Sequence, residues 1–211
     1  MSRAAAIKHG YTSGARTLAS RSVIGLTRTR ITPNALTASG VLLCGAASIL
    51  VLFEDRSELL FYWAAALVFV VGSLLDILDG ALARAGGKTT PFGAFLDSTT
   101  DRVSEGFMLT AIAYVLARHH HPVFVAVAMA AVAGSFLVSY TRARAESIGL
   151  RGDVGIGSRA ERVVVITAGL VLAPWGVLPW ALVLLACTAW LTVAQRVLHV
   201  RKQLMEAHDD E

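Results

Sequence analysis

Asp76-Ile77-Leu78-Asp79-Gly80 closes an apolar run that begins at Leu59, and Phe92-Gly93-Ala94-Phe95-Leu96-Asp97-Ser98-Thr99-Thr100-Asp101 opens another that continues to Ala117. Gly86-Gly87-Lys88-Thr89-Thr90-Pro91 breaks the pattern between them. The stretch predicts two membrane-length helices joined by a short connection, with two aspartates on each helix near the joined ends. An ionised carboxylate costs about 2.5–3.5 kcal/mol at the centre of a bilayer helix, so such residues mark function rather than packing.

The rest of the chain agrees. Of 211 residues, 55% are apolar and only 16% charged, and mean hydropathy is +0.61. A span needs roughly 20 apolar residues, which leaves no room for a soluble catalytic domain. Ile31–Phe53 is charge-free behind the helix-start signal Thr32-Pro33-Asn34, and Pro122–Thr141 is a second charge-free run. Val163–Gln195 is too long for one crossing, and Pro174-Trp175-Gly176 with Pro179-Trp180 marks a turn within it. The fold class is therefore all-α integral membrane. Six transmembrane helices occupy residues 31–200, an interfacial amphipathic segment 1–30, and a tail 201–211.

Sidedness follows from the basic residues. Of the 19 Lys and Arg, sixteen fall on the side of the two termini, and only Arg56 and Arg118 fall opposite, with Arg102 inside a helix. The positive-inside rule then places both termini and the aspartates in the cytoplasm, as expected of a multi-pass protein of the plasma membrane. This topology and anionic phosphate partners account for the net charge of +4, so no nucleic-acid partner is expected. Arg16, Arg21, Arg28 and Arg30 alternate with Leu18, Val23, Ile24 and Leu26, as suits a retained helix lying on anionic membrane lipids.

Asp76 and Asp79 are spaced i,i+3 and Asp97 and Asp101 i,i+4, so each pair projects from one helix face. An antiparallel hairpin would bring all four together. Clustered carboxylates repel unless cations sit between them, and oxygen-only ligation favours Mg²⁺ or Mn²⁺. A two-ion arrangement would suit displacement at phosphorus. Gly80 and Gly93 lie one turn from Asp76 and Asp97 and leave space for a ligand. A second constellation consists of Ser139, Arg142, Arg144, Arg159, Arg162 and Arg196, near the cytoplasmic ends of the later spans. Guanidinium forks at such positions suit a phosphate dianion. Intramembrane carboxylates also occur in cation transporters, but here the later spans carry no matching set.

Asp76-x2-Asp79-Gly80-x2-Ala83-Arg84-x8-Gly93-x3-Asp97-x3-Asp101 resembles the full signature of the CDP-alcohol phosphotransferase family. The resemblance implies a six-helix enzyme that moves a phosphatidyl-type group from a CDP-linked lipid to an alcohol and releases CMP. By that likeness Asp76, Asp79, Asp97 and Asp101 would hold Mg²⁺ or Mn²⁺, and Asp101 would act as general base. Asn34, Gly80, Ala83, Arg84 and Gly93 would line the CDP-lipid site. The stretch Ser139–Glu146, Gly149–Asp153, Glu161-Arg162 and Gln195-Arg196 further resembles the actinobacterial phosphatidylinositol-phosphate synthases of that family. This implies a bacterial homodimer with CDP-diacylglycerol as donor. Inositol 1-phosphate would be the acceptor, bound by Ser139, Arg142, Arg144, Arg159, Arg162 and Arg196. Arg142 stands where Lys is common, and Ala160 where Pro is frequent. Glycerol 3-phosphate would need a similar cationic pocket and is the alternative acceptor.

Two smaller features complete the expectations. His119-His120-His121 precedes Pro122 and reads as an exposed turn rather than a metal site. Glu105, one turn past Asp101, is placed to orient a ligand or pair with Arg102.

Overall fold

The computed structural model describes residues 33–85 and 90–209. The expected interfacial segment 1–30 and most of the Gly86–Pro91 connection lie outside them. Among the described residues there are six α-helices and no strands. We number the helices α1 (Pro33–Val51), α2 (Glu58–Ala85), α3 (Pro91–Arg118), α4 (Pro122–Ser147), α5 (Arg159–Val171) and α6 (Leu178–Asp209). Proline occupies the first position of α1, α3 and α4, where its missing N–H has no helical partner to lose. Ser158 and Glu161 close a capping box that starts α5.

Four helices contain stretches long and apolar enough to cross a membrane: Asn34–Val51, Glu58–Gly80, Pro122–Ser147 and Leu178–Ala207. α3 carries Asp97, Asp101, Arg102 and Glu105 in its first half, which sets it apart from them. α5 has only 13 residues, about 20 Å of helix. The turn expected around Pro174 is present, as a 3₁₀ turn at Ala173–Trp175 ended by Gly176 in the left-handed region. α6 runs past Val200 to Asp209, so the stretch expected as a tail from 201 is helical to that point.

The chain divides into two compact units, Met1–Leu43 with Val71–Asp101 and Cys44–Val70 with Arg102–Glu211. The first carries the aspartates. The second holds the hydrophobic core, in which Phe69, Met108, Leu109, Ile112, Leu170, Leu182 and Leu185 are fully buried. Alanines at 47, 65, 66, 128 and 131 line the same core. Small side chains let helices approach closely, the main source of association where lipid removes the hydrophobic drive. Indole N–H groups add cross-helix bonds, Trp63 to the Val171 carbonyl and Trp190 to that of Ala130, both at 3.0 Å. Trp175 and Trp180, expected at the membrane interface, are exposed.

Candidate active site

In the first unit, α1 and α2 come together at glycine. A Cβ on Gly40 would stand 2.9 Å from the Gly72 carbonyl oxygen and 3.5 Å from the Asp76 Cβ, so only hydrogen fits. This approach buries Asp76 and Asp79, 4% and 3% exposed. Asp97 and Asp101 are half-buried on the first turns of α3. Thr90 starts that helix, its Oγ1 accepting the Gly93 N–H at 3.0 Å.

Asp76, Asp97 and Asp101 each present one carboxylate oxygen, and these three lie within 4.8 Å of one another. Asp79, one turn along from Asp76, accepts a hydrogen bond on Oδ2 from the Thr37 hydroxyl. Its Oδ1 is buried and has no hydrogen-bond partner among the described residues. Converging hard oxygens beside an orphaned carboxylate oxygen fit a divalent cation of the Mg²⁺ or Mn²⁺ type. Of the other expected donor-site residues, Asn34 is exposed at the start of α1 and Gly80 is half-buried on α2. Ala83 and Arg84 fall in the last turn of α2, and their side chains lie outside the described residues. Thr37 was not among the residues singled out from sequence. Its only signal is a hydroxyl one turn beyond Asn34.

The arginine set belongs to the second unit. Ser139 is half-buried, and Arg142 and Arg144 are exposed near the end of α4, with Arg142 Nε 2.8 Å from Glu146 Oε1. Arg159 is half-buried at the start of α5. Arg196 is 7% exposed, and Arg142 and Arg162 act on it as like charges, opposed by Glu146 and Asp153. Three of the six expected residues thus lie in one electrostatic neighbourhood. Arg162, 5% exposed, differs from the rest: its Nε and Nη2 donate to the two carboxylate oxygens of Glu105 at 2.7 and 2.9 Å. Glu105 therefore meets a guanidinium from α5.

The second unit holds another acidic cluster, between the α1–α2 connection and the end of α3. Glu54, Asp55 and His119 offer ligand atoms within 4.8 Å of one another. Here the chain supplies its own cation: Arg118 reaches Glu54 at 2.5 Å and Asp55 at 2.8 Å, and its bond to Glu54 raises its pKa above the ordinary guanidinium value. His119 Nε2 stands 2.7 Å from Glu54. The His119–His121 turn is exposed as expected, but its first ring is tied down by this pair.

Residues 30–194 match the CDP-alcohol phosphatidyltransferase family, and the chain belongs to it. It is 39% identical over 176 residues to the archaetidylinositol phosphate synthase of Pyrococcus horikoshii, across 82% of this chain and 86% of that one. It also resembles the crystal structure of Mycobacterium tuberculosis phosphatidylinositol phosphate synthase with CDP-DAG bound, with a TM-score of 0.76 and 31% identity over 87% of this chain and 94% of that one. The same M. tuberculosis enzyme in complex with manganese and citrate gives a TM-score of 0.76 and 32% identity over 86% and 88%. Membership makes this a phospholipid-synthesis transferase, with Mg²⁺ or Mn²⁺ as the cofactor that the carboxylate site fits.

Proposed function

We propose that the protein transfers the phosphatidyl group of CDP-diacylglycerol to inositol 1-phosphate, giving phosphatidylinositol phosphate and CMP. The convergence of Asp76, Asp97 and Asp101 oxygens within 4.8 Å carries the reading of the reaction. The acceptor hydroxyl attacks the phosphorus that bears the diacylglycerol, a new P–O bond forms, and the P–O bond to CMP breaks. A bound divalent cation neutralises diphosphate charge and favours departure of CMP. Asp101 takes the hydroxyl proton. Thr37 holds Asp79 through one oxygen and leaves the other for the metal site. Asn34, Gly80, Ala83, Arg84 and Gly93 receive the CDP moiety.

The acceptor's phosphate is read by Ser139, Arg142, Arg144, Arg159, Arg162 and Arg196. Two relatives support an inositol phosphate headgroup, because their names share it while differing in the lipid. CDP-DAG bound to the M. tuberculosis enzyme supports the donor. The topology we propose is six spans, α1 to α6, with both termini and the active site in the cytoplasm and residues 1–30 lying on the membrane surface. The assembly is a homodimer.

The test is an acceptor competition with CDP-diacylglycerol and Mg²⁺, following CMP release and the lipid product. Turnover with inositol 1-phosphate but not with glycerol 3-phosphate or free inositol is expected. Turnover with glycerol 3-phosphate alone would replace the acceptor and keep the aspartate chemistry.

A further inference from the structure

We infer that Gly40 is a positioning residue of the metal site: with Thr37 it makes one face of α1 a rigid back wall for Asp76 and Asp79, and this wall favours Mg²⁺ over the larger Ca²⁺. The inference rests on the reading of the four aspartates as the metal site and is independent of which alcohol accepts the lipid.

On α1, Thr37 and Gly40 are spaced i,i+3, and on α2 Gly72, Asp76 and Asp79 follow at i,i+4 and i,i+3, so each set lies on one helix face. The two faces meet, and all five residues are buried. Contact is made at both ends. At one end the Thr37 hydroxyl donates to Asp79 Oδ2. At the other, the missing side chain of Gly40 lets the helices approach backbone to backbone. A Cβ there would stand 2.9 Å from the Gly72 carbonyl oxygen and 3.5 Å from both the Cβ and the backbone nitrogen of Asp76. Helix α1 thereby addresses both aspartates of α2, one through a hydrogen bond and the other through the backbone that carries it.

Glycine inside a helix is less stable than alanine, so on propensity alone alanine would suit α1 better at both 40 and 45. Space separates the two positions. A Cβ on Gly45 would meet only Phe107 Cδ2, at 3.9 Å, which is ordinary contact. A Cβ on Gly40 would meet a carbonyl oxygen fixed in α2, and no side-chain rotation relieves that. The helices would have to part, and parting loosens the bond from Thr37 to Asp79 one turn away.

What that bond secures is visible at Asp79, which is 3% exposed and whose Oδ1 is buried with no hydrogen-bond partner among the described residues. A carboxylate held by one oxygen presents the other in a fixed direction. Mg²⁺ demands near-ideal octahedral geometry at about 2.0–2.1 Å, whereas Ca²⁺ takes six to eight oxygens at about 2.3–2.6 Å in flexible arrangements. A wall that stops Asp76 and Asp79 from backing away suits the smaller ion. One that yields admits the larger.

The test is metal binding without turnover, on the full-length protein in detergent with no lipid substrate. Mn²⁺ is the probe, its free concentration read by electron paramagnetic resonance, and Mg²⁺ and Ca²⁺ are titrated as competitors. In Gly40→Ala, Mg²⁺ should compete about 10–100-fold less well, Ca²⁺ should lose clearly less, and the preference for Mg²⁺ should narrow. Gly45→Ala should match the wild-type protein. Thr37→Val should narrow the preference in the same direction, and because both residues act through one wall, the double variant should fall short of the sum of the two effects. An unchanged preference in folded Gly40→Ala, or equal weakening of both ions, would overturn the inference. Should Gly40→Ala not fold, an unchanged preference in Thr37→Val does the same. These outcomes leave the aspartates as the metal site. Mn²⁺ binding that is absent from the wild-type protein, or undiminished in Asp97→Asn, would instead sink the metal reading of the aspartates and the inference with it.

Discussion

Glu54 and Asp79 are the two most deeply buried carboxylates among the described residues, at 2% and 3% exposure, and they are balanced differently. Glu54 is answered within the chain: Arg118 takes one of its oxygens, His119 the other, and Arg118 extends to Asp55. Asp79 has the Thr37 hydroxyl on one oxygen and no hydrogen-bond partner for the other, on the same helix as Asp76, whose carboxylate meets those of Asp97 and Asp101. Both regions contain three potential ligand atoms within 4.8 Å of one another. An acidic group that is closed by the chain's own guanidinium is a fastening between elements. One built from converging carboxylates calls for a cation from solution, and it is the one that can do chemistry with it.

The sharpest way to break this contrast is to withdraw that cation. Chelation should abolish CMP release completely, and Mg²⁺ or Mn²⁺ should restore it. Turnover that survives exhaustive chelation would make the aspartates a second fastening. Next in size is Asp101→Asn, which keeps an oxygen ligand but removes the base. Turnover should fall about 10²–10⁴-fold while CDP-diacylglycerol binding, followed by ligand-dependent thermal stabilisation, changes little. Near-normal turnover would take Asp101 out of proton transfer.

A smaller effect is expected at Thr37. Thr37→Val preserves shape and deletes the hydroxyl that orients Asp79. Removing a partner of a metal-ligating carboxylate typically weakens metal affinity about 10–100-fold, so the Mg²⁺ concentration for half-maximal turnover should rise within that range. Saturating Mg²⁺ should recover most of the rate, and Thr37→Ser should behave like the wild-type protein. An unchanged Mg²⁺ dependence in Thr37→Val would mean that Asp79 stands apart from the metal site.

Which of these features the sequence discloses follows from the kind of rule each one breaks. Asp76, Asp79, Asp97 and Asp101 stand out because charge in an apolar helix violates the background, and their i,i+3 and i,i+4 spacing is local. The turn at Ala173–Gly176 is equally local, announced by proline and glycine. Thr37 is silent, because hydroxyls are common in apolar helices and its partner is 42 residues away. Glu105 and Arg162 are each visible as charges, but their pairing across 57 residues is not. The tie between His119 and Glu54 is hidden in the same way, behind a run of three histidines whose plainest reading is an exposed turn. The start of α5 could have been placed from the Ser158-x-x-Glu161 capping box, a local signature that hydropathy alone passes over.

The smallest effect on turnover is expected at Arg118, where it serves as the control for the comparison. Arg118→Gln leaves Glu54 buried beside His119 with its principal cation gone. Loss of one partner of a fully buried pair costs about 3–5 kcal/mol, but Arg118 is 31% exposed, and water can replace part of what is lost. A destabilisation of about 1–3 kcal/mol is the reasonable scale, read as a lower melting temperature in detergent. At temperatures below that transition, kcat, the acceptor KM and the Mg²⁺ dependence should all stay within about twofold of wild type, since Arg118 fastens the α1–α2 connection to the end of α3 and handles no substrate. Arg118→Lys should recover part of the stability, because one ammonium can meet Glu54 but cannot reach Glu54, Asp55 and the Leu52 carbonyl at once. A shifted Mg²⁺ dependence in Arg118→Gln would show the two acidic clusters to be energetically coupled, and the division between fastening and chemistry would fail.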